Sequence, residues 1–132
     1  MDLKKKSKAF SRLALKEKIF LLKKTKALAT LGKELEKVGS LKIKLSKLVS
    51  DENLNDSPTT ASQLKANKFY SHKIHEELSQ VANRQHFLEK EAVDLRLSAG
   101  KTKSKVNKAT EKAINFSRLA RIELENKIEN EK

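Results

Sequence analysis

Several residue types that stabilise compact or covalently linked folds are scarce in this chain. It has no cysteine, no tryptophan, one proline, three glycines and 5% aromatic residues among 132. Without cysteine it has no disulfide framework and no thiolate metal site, which is consistent with a reducing compartment. Few large rings and few turn-forming residues, in a chain with 36% charged residues, argue against a thick globular core. We predict one domain with a thin core between helices.

Long apolar runs and catalytic motifs are missing as well. The longest apolar run near the N-terminus, Ile19-Phe20-Leu21-Leu22, is too short for a signal peptide or a membrane span. The sequence has no HExxH motif, P-loop or GxGxxG motif, and His72 and His75, spaced i, i+3, have no obvious third metal ligand. We therefore expect no enzymatic activity, cofactor or metal. The expected location is cytoplasmic, with at most a peripheral position at the inner face of the cell membrane.

One segment, residues 51–59, has the composition of a loop. It concentrates Asp, Asn and Ser around the sole proline. The pattern Thr60-x-x-Gln63 fits a capping box that begins a second helix, and Ser57-Pro58 is a competing start one turn earlier. The sequence thus predicts a helix over 3–50, a loop over 51–59 and a helix over 60–130.

Apolar residues on both sides of this loop recur with alternating spacings of three and four. Such a sustained heptad pattern predicts a left-handed coiled coil. In the first helix, nine of twelve positions are apolar in the series Phe10, Leu13, Glu17, Phe20, Lys24, Ala27, Leu31, Glu34, Val38, Leu41, Leu45 and Leu48. In the second, twelve of fourteen are apolar in the series Ile74, Leu78, Val81, Gln85, Leu88, Ala92, Leu95, Ala99, Thr102, Val106, Ala109, Ala113, Phe116 and Ala120.

A short loop predicts that the two helices fold back into an antiparallel hairpin. With the turn near Asn55, facing residue numbers would add to about 110, so the second helix would have no partner after about residue 107. The fold predicted is therefore an all-α, long two-helix antiparallel coiled-coil hairpin with a C-terminal helical overhang. The overhang would expose an apolar stripe that marks either a binding site or self-association and fraying: Ile114, Phe116, Leu119 and Ile122.

Positive charge is concentrated in the first half of the chain. Of a formal charge of +13, about +11 falls within residues 1–50. The predicted register sets Lys4, Lys5, Lys6 and Lys8 beside Lys101, Lys103, Lys105 and Lys108. This basic end could bind an acidic protein surface, a nucleic acid backbone or an anionic membrane. Segment 4–31 is also a basic amphipathic helix, but the heptads assign its apolar face to the second helix.

Three glycines interrupt the helices without other helix-breaking residues. Gly32, Gly39 and Gly100 should each cost about 1 kcal/mol relative to Ala, without ending a helix. They are either tolerated or allow a close approach or a bend.

The layout and some local sequence resemble FliJ, the small coiled-coil component of the bacterial flagellar export apparatus, and its injectisome counterparts. The segment Phe10-Ser-Arg12-Leu13-Ala-Leu-Lys16-Glu17 is similar to the opening of that family, and Phe69-Tyr70 followed by Ile74 resembles the start of its second helix. The charged C-terminal helix is also similar, with Arg118, Arg121, Glu123 and Glu125.

The resemblance implies a non-enzymatic stalk of the export ATPase, similar to the gamma subunit of rotary ATPases. The end with both termini would insert into the ATPase ring, and the hairpin end would reach the export gate or substrate chaperones. The resemblance gives roles to three sets of residues: Lys5, Lys8, Arg12, Lys101 and Lys105 against acidic ring surface; Ile114, Phe116 and Leu119 in an apolar sleeve; Phe69, Tyr70, Leu45 and Leu48 toward the gate or chaperones. For Leu45 and Leu48, packing in the core is the favoured alternative.

Two other interpretations of the sequence stay open. The heptads alone also fit a structural or scaffolding coiled coil of an unknown assembly. The charge also fits a basic hairpin that binds nucleic acid or anionic membrane non-specifically, although sequence-specific DNA reading is disfavoured because Arg12 is the sole arginine of the first half.

Overall fold

Two α-helices, α1 (Leu3–Leu54) and α2 (Ala61–Asn130), make up almost all of the structure. The computed structural model describes residues 2–54 and 60–131, without the side chains of 52–54, and contains no strand within those ranges. The predicted all-α two-helix hairpin is confirmed. The predicted loop over 51–59 is wrong for residues 51–54, which continue α1, while 55–59, with Ser57-Pro58, lies outside the described residues. Asp and Asn are weak helix formers that cost less than about 0.7 kcal/mol each, so they do not end a helix by themselves.

Both helices begin at a residue whose side chain caps the exposed backbone amides. The Lys4 amide donates to Asp2 Oδ1 at 3.3 Å, and the Lys6 amide donates to the Asp2 carbonyl at 3.1 Å. The Gln63 amide donates to Thr60 Oγ1 at 3.1 Å, as the predicted capping box requires of its first residue. The predicted start of α2 is thereby confirmed to within one residue.

The predicted seam of α2 is confirmed along its full length. All fourteen positions from Ile74 to Ala120 are buried or half-buried. The most deeply buried among them are Ile74, Leu88, Ala92, Thr102, Val106, Ala109 and Ala113.

The predicted seam of α1 is correct at seven of its twelve positions. Phe10, Glu17, Lys24, Leu31, Glu34, Val38 and Leu45 are buried or half-buried, as expected. At the other five positions burial lies one residue later than predicted, because Leu13, Phe20, Ala27, Leu41 and Leu48 are exposed. The residues buried or half-buried in their place are Ala14, Leu21, Leu28, Lys42 and Val49, and Leu35 is half-buried next to Glu34. The predicted stripe from Leu13 to Leu48 and the stripe from Ala14 to Val49 each have five apolar residues in six, so the spacing alone did not distinguish them.

The chain forms two compact units. Unit 1 comprises residues 1–28 and 95–132, and unit 2 comprises residues 29–94. In unit 2, Lys42 Nζ donates to Gln85 Oε1 at 3.1 Å, and Arg84 lies 3.6 Å from Glu34 in an exposed ion pair. The first ten residues of α2, 61–70, are all exposed, so burial on α2 begins only at Ser71.

The glycines do not mark a close approach of the helices. A Cβ atom built at Gly32 or Gly100 meets no described atom within 4 Å, and one at Gly39 meets only Gln85 Nε2 at 4.0 Å, an ordinary contact. None of the three has a positive φ. The interpretation that these glycines are tolerated at open positions fits this environment better than a close approach. Neither of the two described helices contains a stretch long and apolar enough to cross a membrane.

Candidate docking surface on unit 1

Three contacts define how the two helices align in unit 1. The Ser7 hydroxyl donates to the Ala113 carbonyl at 2.9 Å, the Phe10 ring stacks on Phe116, and Lys24 Nζ donates to Thr102 Oγ1 at 2.7 Å. The paired residue numbers add to about 120–126, so the predicted sum of about 110 is wrong by three to four helical turns. The reason is that the first ten residues of α2 are exposed, so burial on this helix begins only at Ser71. Each residue of α1 therefore faces a residue of α2 that lies closer to the C-terminus than predicted.

A stack of two rings and two ammonium groups lies within this alignment. The Phe10 and Phe116 ring centroids are 5.6 Å apart, with 12° between the ring planes. Lys6 Nζ lies 5.4 Å from the Phe116 centroid, and Lys112 Nζ lies 5.3 Å from the Phe10 centroid. Each lysine precedes the phenylalanine of its own helix by four residues and covers the ring of the other helix. The Lys-x-x-x-Phe spacing alone does not predict this contact, because Lys16–Phe20 and Lys65–Phe69 share it and both of those rings are exposed.

The predicted overhang begins too early. Ala109 and Ala113 are buried, and Phe116 packs on Phe10, so residues 107–120 do have intramolecular partners. The prediction that Phe116 belongs to an unpaired apolar stripe is therefore wrong. The segment without burial is residues 121–131, in which every residue is exposed. We call it the C-terminal overhang. Of the other predicted stripe residues, Ile114, Leu119 and Ile122 are exposed.

The basic end is also composed differently from the prediction. An open groove of about 500 Å³ lies between the start of α1 and the end of α2, and four cations against two carboxylates line it. Its lining residues are Asp2, Lys4, Ser7 and Lys8 at the start of α1, with Ser117, Ala120, Arg121, Glu123, Leu124 and Lys127 on α2. Lys101 and Lys105 lie away from Lys5 and Lys8, because the neighbouring Thr102 contacts Lys24. The expected juxtaposition of these two lysine clusters is wrong. Arg12 belongs to the exposed surface of α1 in this unit.

Charge divides between the two units. Unit 1 contains 20 Lys and Arg against 7 Asp and Glu, whereas unit 2 contains 10 of each. The whole formal charge of +13 therefore belongs to unit 1. Such a concentration of one sign attracts polyanions and acidic surfaces and raises their association rates at low salt.

The predicted hairpin-end residues lie in the exposed beginning of α2. Phe69 is 72% exposed and Tyr70 is 53% exposed, which leaves both rings accessible to a partner. Leu45 is buried in unit 2, whereas Leu48 is 41% exposed. The predicted seam of α2 begins at Ile74, so the sequence had already left both rings outside it.

The described surface has open grooves along its helices in which a partner can dock. Among residues 2–54 and 60–131, no three His, Cys, Asp or Glu side chains come together as a metal site would require. In comparisons with protein-family models, curated proteins and solved structures, the chain matches none.

Proposed function

We propose that this chain is a non-enzymatic coiled-coil component of the flagellar or type III protein export apparatus, located at the cytoplasmic side. In this proposal unit 1 docks on the export ATPase ring, and the exposed start of α2 contacts the export gate or substrate chaperones. The resemblance of the first helix opening and of Phe69-Tyr70 to FliJ supports the assignment to this apparatus. The concentration of charge in unit 1 supports an acidic partner surface.

The observation that carries the proposal is the C-terminal overhang beside the basic start of α1. Leu124 is 58% exposed and Ile128 is 51% exposed, and they are spaced i, i+4 along one face. Lys4 and Lys8 line the groove that leads to Leu124. An exposed apolar stripe next to a cationic groove suits a partner with an apolar sleeve and an acidic rim.

A pull-down with a purified export ATPase tests this proposal. We expect the full chain to bind and a chain that ends after Ala120 to bind at least about tenfold more weakly, because it lacks the apolar overhang but keeps the whole seam. A full-length Phe69→Ala/Tyr70→Ala variant is the control, and it should bind the ATPase normally while losing gate or chaperone contacts.

Two results would contradict the proposal. If the full chain does not bind the ATPase, the assignment to the export apparatus fails. If the shortened chain binds as tightly as the full chain, the overhang is not the docking element, and the basic groove would have to carry the contact alone. Repeating the assay at higher salt separates these cases, since apolar docking survives moderate salt better than charge pairing.

A further inference from the structure

Helix α1 has a second apolar stripe that the coiled-coil seam does not use. Leu15, Ile19 and Leu22 are 60%, 49% and 62% exposed. Their spacing of four and three puts them on one face of the helix. At 100° per residue, this face points roughly 130° away from the seam residues Ala14, Glu17 and Leu21. The apolar face that the heptads were expected to bury is thus only one of two apolar faces on this segment.

The surroundings of this stripe are cationic almost without exception. Ten of the residues from Leu3 to Leu28 are Lys or Arg, and Glu17 is the single carboxylate among them. Glu17 is half-buried at the seam, on the other side of the helix. The cations fall along or beside the stripe: Lys8, Arg12, Lys16, Lys18 and Lys23. Lys23 Nζ also lies 6.0 Å from the centroid of the Phe20 ring, itself 42% exposed.

We propose that the face of α1 formed by Leu15, Ile19 and Leu22 docks on a membrane surface rich in anionic phospholipid. The three aliphatic side chains would enter the boundary between headgroups and acyl chains, with the helix parallel to the surface. The surrounding lysines and Arg12 would extend their ammonium and guanidinium groups to lipid phosphates, and each such cation strengthens attraction to an anionic leaflet. This inference goes beyond the proposed docking on the export ATPase, because it uses a different face and a different ligand.

The length of the stripe favours a lipid surface over a third helix. A coiled-coil partner needs an apolar seam sustained over three or four heptads. Here the same face continues as Lys8 and Arg12 before Leu15 and as Lys26 after Leu22. Cations along the apolar face would be costly in a helix–helix core, whereas at a membrane they reach the headgroups.

The aliphatic side chains also disfavour nucleic acid as the ligand. Single-stranded nucleic acid is bound through phosphate contacts and through stacking on aromatic rings. Leucine and isoleucine side chains offer neither, and all three aliphatic side chains of this face are exposed. Duplex DNA, a polyanion without exposed bases or acyl chains, is the ligand to compare with anionic vesicles in the test.

The test is co-sedimentation of the full chain with vesicles of phosphatidylcholine, with or without one-third phosphatidylserine. We expect binding to the anionic vesicles only. Ile19→Gln/Leu22→Gln should weaken that binding about tenfold or more, because two inserted side chains lose their apolar contact. The matched control is Val93→Gln/Leu97→Gln, two α2 residues that are 50% and 63% exposed, and it should bind within about twofold of the unmodified chain.

Three results would overturn the inference. The first is no binding of the full chain to anionic vesicles. The second is equal loss of binding in the stripe variant and in its control. The third is binding to duplex DNA with vesicle binding insensitive to the stripe variant, which would mean adsorption by charge alone. Circular dichroism checks that the variants stay helical, and Leu15→Gln alone replaces the double variant if the latter unfolds. Loss of ATPase binding has no effect on this assay, so the two proposals fail independently.

Discussion

Phe10 shows how one side chain can fix the alignment of two helices. Its ring meets Phe116 at 5.6 Å between centroids and is covered by the Lys112 ammonium group, while Lys6 covers Phe116. Moving α2 by one heptad would put Ala109 or Glu123 opposite Phe10 and would separate both lysines from the rings. The ring pair is therefore specific to one register, whereas the surrounding small residues would fit several.

We predict a measurable coupling between the two rings. In a double-mutant cycle with Phe10→Leu and Phe116→Leu, the coupling in the free energy of unfolding should be about 0.5–1.5 kcal/mol, because stacked rings interact beyond their buried area. Urea unfolding followed by circular dichroism gives the four values. Phe10 and Phe87 form the control cycle, since Phe87 belongs to unit 2 and is 58% exposed. Equal coupling in both cycles would mean that the stacked contact adds nothing specific.

At the scale of the helix, α1 combines an apolar seam with a few polar positions. Lys24 and Lys42 occupy seam positions, and their ammonium groups reach Thr102 and Gln85 of α2. Polar side chains at seam positions generally lower stability while they select one register. In α1 the contacts of Lys24 and Lys42 help to select one register, because two neighbouring apolar stripes are equally suited to the seam.

The substitution Lys24→Leu should raise the free energy of unfolding by about 1 kcal/mol. A leucine adds aliphatic contact within the seam, and Thr102 keeps a partner because its hydroxyl donates to the Ser98 carbonyl at 3.1 Å. Lys33→Leu, at an exposed position of the same helix, is the matched control and should change this quantity by less than about 0.5 kcal/mol. A decrease with Lys24→Leu in urea unfolding would show that the hydrogen bond outweighs apolar burial.

At the scale of the whole molecule, burial and charge follow different boundaries. Burial on α2 extends from Ser71 to Ala120, which leaves exposed segments at both of its described ends. The formal charge, in contrast, belongs to unit 1, because unit 2 has equal numbers of cations and anions. The two exposed segments of α2 therefore differ in chemistry. Residues 121–131 carry two cations, four carboxylates and the aliphatic Leu124 and Ile128, whereas residues 61–70 carry two lysines, no carboxylate and the rings of Phe69 and Tyr70.

Shortening the chain at two points should separate the overhang from the seam. A chain that ends after Ala120 should match the full chain in free energy of unfolding to within about 1 kcal/mol, since residues 121–131 are all exposed. A chain that ends after Val106 should lose about 3 kcal/mol or more, because Ala109, Ala113 and Phe116 pack against α1. Thermal unfolding followed by circular dichroism measures both. Similar stability of the two chains would contradict the packing of residues 107–120.

Several features were predictable because they depend on residues close together in sequence. Thr60 caps α2 by accepting a hydrogen bond from the backbone amide of Gln63, three residues away. The apolar heptad positions of α2 have no equally apolar stripe beside them that could take their place in the seam. In α1 the stripes through Leu13 and Ala14 are equally apolar, so sequence spacing could not select between them. The prediction of the candidate site was affected most by the unknown register. Phe116 was correctly assigned to the seam, but it was wrongly predicted to lack a partner on α1.

The sequence by itself determined the helical hairpin, because heptad spacing, helix propensity and caps act within a few residues of the chain. It also determined that cations would outnumber carboxylates along the start of α1. Only the tertiary structure decided the register, since that depends on contacts between residues about one hundred positions apart, such as Phe10 with Phe116. The register in turn decided which apolar residues remain exposed: Leu124 and Ile128 on the overhang, and Leu15, Ile19 and Leu22 on the outer face of α1.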